Sequence, residues 1–201
     1  MTSKQGSGDG QRGSLADVLD RSFNVYIGST FRRCNFDAVG GFDETMAQAE
    51  DFDMWVRLMT LGGQAGYADA VLGDYRIRRG SASANSGLML LGNIKVYQKA
   101  RAALAGNRHE LGLIDRLIEA NCAALALEHA IDKITAGETV EGLRELRAVQ
   151  AQVSGAKWAA ALAVWRICPA LARPMLRWRR KANSRGAVSP GLFSLLPFGG
   201  S

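Results

Sequence analysis

The sequence predicts an α/β body followed by an all-α extension, and three observations carry that reading. A run rich in β-branched and aromatic residues at 23–31 reads as a strand, and 64–68 and 71–77 look like further short strands. Segments of helical spacing, at 50–61 and from about 85 to 104, separate and follow them. Beyond residue 110 only the helical period remains. The chain has 201 residues, 47% apolar and 22% charged, which is enough to bury a core and excludes wholesale disorder or a collagen-like repeat.

Residues 1–13 are Gly/Ser/polar without an apolar run and read as a disordered leader, not a signal peptide. Ser14 is placed to cap a short helix from Leu15 to Arg21, with Asp17 three residues on. Phe23 to Phe31 reads as a strand. Gly40-Gly41 marks a turn. From Glu50 to Leu61, Met54, Leu58 and Leu61 share one helix face, with Trp55 and Met59 beside it, and Gly62-Gly63 stops the helix. Ser83 or Asn85 is placed to cap the next helix. Leu111, Ile114, Leu117, Ile118, Leu125 and Ile131 then recur at helical spacing up to about Thr135. Gly137 interrupts the pattern and Thr139 to Gln152 resumes it, which reads as an antiparallel helical hairpin. A third helical stretch, from Lys157 to about Lys181, contains Pro169 and Pro174, which should interrupt it.

The net charge of +6 is unevenly placed. Residues 1–153 carry 17 basic and 19 acidic side chains, whereas residues 154–201 carry eight basic and no acidic ones. The body is therefore slightly acidic and the excess belongs to a basic tail. Three cysteines, Cys34, Cys122 and Cys168, are too scattered for a disulfide framework or zinc site and read as reduced, mostly buried thiols. His109 and His129 lack partners at ligand spacing and read as surface or packing residues. No run of about 18 uncharged apolar residues occurs, so no spanning helix is expected.

Chemistry concentrates between residues 28 and 83. Glu50, Asp51 and Asp53 lie within four positions at a helix start. They can complement the helix macrodipole, or one of them can act as a general base aimed into a cleft. Asp51-Phe52-Asp53 also spells Asp-x-Asp, but residues i and i+2 of a helix point about 200° apart, so the pair does not share one metal ion.

Four segments in order carry a resemblance. They are Phe31-Arg32-Arg33, then Val39-Gly40-Gly41-Phe42-Asp43-Glu44, then Ala49-Glu50-Asp51-Phe52-Asp53-Met54-Trp55-Val56-Arg57-Leu58, then Tyr75-Arg76-Ile77-Arg78 with Ser81 and Ser83. Together they resemble the acceptor side of family 2 glycosyltransferases of the GT-A fold, over about residues 14–97. The resemblance implies a partial GT-A-like fold, an α/β remnant, over 14–105. A helical hairpin at 106–153 and a basic helical tail at 154–201 follow it.

The resemblance also implies roles. Asp51 matches the base that deprotonates an acceptor hydroxyl for inverting attack on a nucleotide-sugar, with Glu50 assisting. Gly40, Gly41, Asp53 and Trp55 match positions around the sugar and acceptor, and Arg57 a position supporting the base. Arg76, Arg78 and Ser81 match the segment over the donor phosphates, along with Tyr75 and Ser83. Arg78 stands where the family usually has a histidine, which keeps phosphate binding but excludes a role for a neutral imidazole. About 40 residues precede the Gly-Gly-Phe segment, too few for the family's nucleotide-binding half, since one βαβ unit takes about 30 or more. The expectation is thus a fragment inactive without a separate donor-binding half. No cofactor is expected on this chain alone, and Mg or Mn is expected only with that half.

The expected partners are a nucleotide-sugar, a glycan or lipid-linked acceptor, and a separate donor-binding chain. The tail combines Trp158, Trp165 and Trp178 with its cations. It reads either as a packing helix with a solvated basic end or as a segment on an anionic membrane surface over 157–185. A non-catalytic module for membrane or protein interaction is the alternative function. Nucleic acid is set aside, because no helix-turn-helix, zinc or stacking-sheet pattern accompanies the charge. The expected location is cytoplasmic, open to a peripheral seat on the cytoplasmic face of the membrane.

Overall fold

The structure, a computed structural model, describes residues 12–25, 29–68, 70, 86–105, 108–150 and 156–185. Of these, 71% are α-helical. The chain divides into two compact units, residues 1–78 with 91–119 and residues 79–90 with 120–201.

In the first unit, β1 (Arg12–Gly13) pairs antiparallel with β2 (Ala65–Gly66), Arg12 opposite Gly66 and Gly13 opposite Ala65. Helix α1 (Leu15–Leu19) starts at the capping box seen in the sequence. The Asp17 N–H donates to Ser14 Oγ and the Ser14 N–H donates to Asp17 Oδ2, at 3.3 and 2.8 Å. Helix α2 (Arg33–Ala38) ends at Gly40 and Gly41, both at positive φ (76° and 71°). Helix α3 (Glu50–Thr60) is the hub of the unit. Phe52, Val56 and Met59 join Val18, Leu19, Val96, Tyr97, Ile114 and Leu117 in one core. Met54, Trp55 and Leu58 form a second core with Val25, Phe36 and Val39. A helix that is apolar on two sides has to be covered on both. Helix α4 (Ser86–Ala103) supplies Val96 and Tyr97, and α5 (Arg108–Ala136) supplies Ile114 and Leu117.

The α/β expectation is overturned. Among the described residues the sheet is a single pair of two-residue strands, and these residues build a mostly helical fold, not a partial GT-A-like one. The run at 23–31 shows why. Phe23 and Val25 are core residues on irregular backbone, and Phe23 fills the space above Gly13, where a Cβ would lie 2.4 Å from its ring. Aromatic and β-branched residues are selected by burial as much as by pleating, so their composition marks packing here. The strand expected at 64–68 shortens to Ala65–Gly66, and that at 71–77 lies outside the described residues, as do Ser83 and Asn85.

The second unit is helical among its described residues. Helix α6 (Thr139–Ala148) folds back after Gly137, whose φ of 121° suits glycine and whose N–H donates to the Lys133 carbonyl at 3.1 Å. Helix α7 (Ala156–Ile167), a 3-10 turn (Pro169–Leu171) and α8 (Ala172–Arg185) follow. Pro169 interrupts the helix as expected. Pro174 does not, because it falls in the first turn of α8, where its missing N–H has no partner to lose. Trp165, Leu162, Ala172 and Leu176 close over Leu127, Ile131, Ile134, Leu143 and Leu146. Gly142 lets α6 approach α5, and a Cβ there would stand 2.5 Å from Ile134 Cγ1 and 2.7 Å from the Ala130 carbonyl. Gly142→Ala should therefore cost about 1–3 kcal/mol through overpacking, read as a lower thermal midpoint with unchanged helical signal at low temperature.

All three cysteines are free and exposed, which corrects the expectation that they are mostly buried. His109 and His129 are exposed. Among the described residues, no helix is long and apolar enough to cross a membrane.

Candidate functional site

The Gly-Gly-Phe segment and the acidic start of α3 are brought together by a cluster of four charged side chains. Asp53 is 1% exposed. Its Oδ2 accepts from Arg57 Nε at 2.8 Å, one turn on, and its Oδ1 pairs with Lys99 Nζ of α4 at 2.6 Å. Arg57 also donates Nη1 to the Val39 carbonyl and Nη2 to the Gly41 carbonyl, the latter at 2.7 Å. Lys99 reaches Asp43 Oδ2 at 2.7 Å. The turn at 39–43 is thus fixed to α3 through Arg57 and to α4 through Lys99, with Asp53 accepting from both cations.

Burial pulls the Lys99 ammonium down, but the hydrogen bonds and charges of Asp43 and Asp53 outweigh it and leave it above its ordinary value. The Lys99 hydrogen bond, aided by the Thr45 hydroxyl and N–H, holds the Asp43 carboxyl well below the usual range. A depressed carboxylate contributes stability above its ordinary pKa and loses it as pH falls. A raised lysine contributes below its ordinary pKa and loses it as pH rises. Thermal midpoints should therefore be flat at neutral pH and fall below about pH 4, through protonation of Asp43 and of Asp17, which the Ser14 hydrogen bonds also hold low. Lys99→Met, which removes the main cause of the Asp43 shift, should flatten that acid limb.

Glu50 and Asp51 stand apart from this network. Glu50 is exposed, Asp51 is half-buried, and neither has a salt-bridge partner among the described residues. Asp51 Oδ1 accepts the Phe52 N–H at 2.7 Å. Ala49 precedes them in the left-handed conformation, with φ 60°, a strained geometry for a residue with a Cβ. Asp51 shares a helix face with Trp55, four residues on. Trp55 is buried and meets Phe31 edge-on at 5.3 Å between ring centroids. Phe31 stacks on Phe36 at 5.5 Å, and Phe36 meets Phe42 edge-on at 5.5 Å. Phe31 and Phe42 remain 40% and 48% exposed. A Cβ at Gly41 would press on the Phe36 ring at 3.0 Å, whereas one at Gly40 would meet nothing within 4 Å.

Of the residues singled out from the sequence, Gly40, Gly41, Glu50, Asp51, Asp53 and Trp55 fall in this one region. Arg76, Arg78 and Ser81 lie outside the described residues, as do Tyr75 and Ser83. The Asp53 carboxylate is taken up by Arg57 and Lys99, which makes it a structural anchor of the turn. No group of three or more His, Cys, Asp and Glu able to hold a metal occurs among the described residues. Sequence reasoning missed Lys99, Asp43 and the phenylalanine cluster. The Asp53–Arg57 spacing of four was a legible signal for the pair, but Lys99 belongs to a distant helix. No protein-family model, curated protein or solved structure matches the chain.

Proposed function

We propose that the chain is the acceptor-side part of an inverting glycosyltransferase, working with a nucleotide-sugar-binding half, and that Asp51 is its general base. The observation that carries this reading is the division of labour at the start of α3. Asp43, Asp53, Arg57 and Lys99 neutralise one another and fix the Gly-Gly-Phe turn. Asp51 and Glu50 have no ion pair among the described residues, and Asp51 lies one helical turn before Trp55, which meets Phe31 edge-on. Asp51 accepts the proton of an acceptor hydroxyl as its oxygen bonds to the anomeric carbon. The bond from that carbon to the nucleoside diphosphate breaks on the opposite side, so the configuration inverts. Phe31 and Phe42 offer π-faces to the C–H bonds of a sugar ring, and the negative ring face favours such contact. The reading carries a cytoplasmic location.

The test is sugar transfer by this chain joined to the donor-binding half, with nucleotide-sugars as donors and saccharides as acceptors. Asp51→Asn should abolish turnover while leaving donor binding intact. Unchanged turnover would remove Asp51 from the role of base.

A further inference from the structure

We propose that the second unit docks on an anionic lipid bilayer through the outer face of α7, the 3-10 turn and α8. Val164, Ile167, Leu171, Met175 and Trp178 follow one another at intervals of three or four residues. All are exposed, Ile167 by 88% and Trp178 by 74%. They are not the unit's core, because Leu162, Trp165, Ala172 and Leu176 occupy the opposite, buried side. The rest of the outer face of α7 is Ala159, Ala160 and Ala163, all exposed. A helix that is apolar on its solvent side as well as its core side expects an apolar surrounding there.

Charge decides the occupant. Residues 154–201 hold eight cations and no anion. Arg166 is exposed beside the stripe and pairs with no acidic group among the described residues. A second copy would bring together two segments of this one sign, whereas anionic headgroups complement the segment's net charge. Trp178 is suited to the headgroup boundary, its ring toward the acyl chains and its N–H toward water.

The remaining arginines orient the stripe. Arg173 and Arg177 donate to the Thr135 carbonyl at the end of α5, at 3.4 and 2.9 Å, and Arg180 donates to Asp132 and to Thr135 Oγ1. Arg173 and Arg177 thereby satisfy one C-terminal carbonyl of α5 and place cations at its negative end. They fix α8 against α5 and leave Trp178 exposed, while Met175, 42% exposed, turns its sulfur inward to accept the Trp165 Nε1–H at 3.3 Å. The inference is independent of the glycosyltransferase reading, since it uses no residue of the first unit.

Co-sedimentation of the full chain with vesicles tests it, using phosphatidylcholine with and without phosphatidylglycerol. Binding is expected only with phosphatidylglycerol and should weaken strongly in roughly 0.5 M salt. The double variant Ile167→Ser/Trp178→Ser should bind at least tenfold more weakly, through lost apolar insertion. Arg166→Gln, which alters no packed residue, should bind about fivefold more weakly. Unaltered circular dichroism and melting establish that both variants are folded. No binding, equal binding to both vesicles, or full binding by both variants would overturn the proposal. So would a dimer of the native chain that the double variant dissolves, which would assign the stripe to a second copy.

Discussion

Asp53→Ala should lower the stability of the first unit by about 3 kcal/mol, the lower end of the cost of breaking a buried ion pair. The lower end applies because Lys99 and Arg57 keep 33% and 27% of their side-chain surface exposed, and water recovers part of the lost stabilisation. The thermal midpoint should fall by roughly 6–12 °C for a chain of this size. The loss has two parts. Arg57 is left without a carboxylate and Lys99 with Asp43 alone, and the turn at 39–43 loses its indirect link between α3 and α4. The parts can be separated. Adding Lys99→Met to Asp53→Ala removes a partner whose pairing with Asp53 is already lost, so the double variant should be more stable than the sum of the single effects implies. Strict additivity would mean that Lys99 and Asp53 do not act as a unit.

Asp51→Asn should leave the fold intact and reduce transfer by roughly 100- to 10,000-fold, the usual contribution of a positioned base. The amide keeps the size of the carboxylate and can still accept the Phe52 N–H, but it cannot take up a proton. Glu50→Gln is the internal control. Its side chain is exposed, and as an assisting group its loss should cost far less. Equal losses for both variants would return the acidic cluster to complementing the helix macrodipole.

Local signals with a stated mechanism were legible in the sequence. Ser14 and Asp17 announce the start of α1, and Gly137 announces the turn between α5 and α6. The acidic start of α3 was also visible. Composition misled where two causes give one signal. Phe23 and Val25 have the residue types of a strand, but without a paired neighbour they pack singly into the cores. Leu61, read as part of the apolar face of α3, is 67% exposed just past the end of that helix. The site was half legible for a related reason. Spacing along one helix reveals Asp53–Arg57, but Lys99 meets Asp53 only after α3 and α4 have packed together. Until that partner is known, Asp51 and Asp53 are equivalent carboxylates. The tail's charge was readable at once, whereas its apolar stripe appears only when Trp165 and Leu176 are known to face inward.

The central claim is that these two aspartates, two residues apart, do different work. Thermal unfolding of Asp51→Asn and Asp53→Asn, measured side by side on the chain itself, tests it most directly. Asp51→Asn should shift the midpoint by no more than about 2 °C, since a helix-start carboxylate contributes only tenths of a kcal/mol to about 1 kcal/mol. Asp53→Asn should lower it by at least about 5 °C, because it removes the charge that balances Lys99 and Arg57. Equal shifts, or a larger loss with Asp51→Asn, would contradict the account.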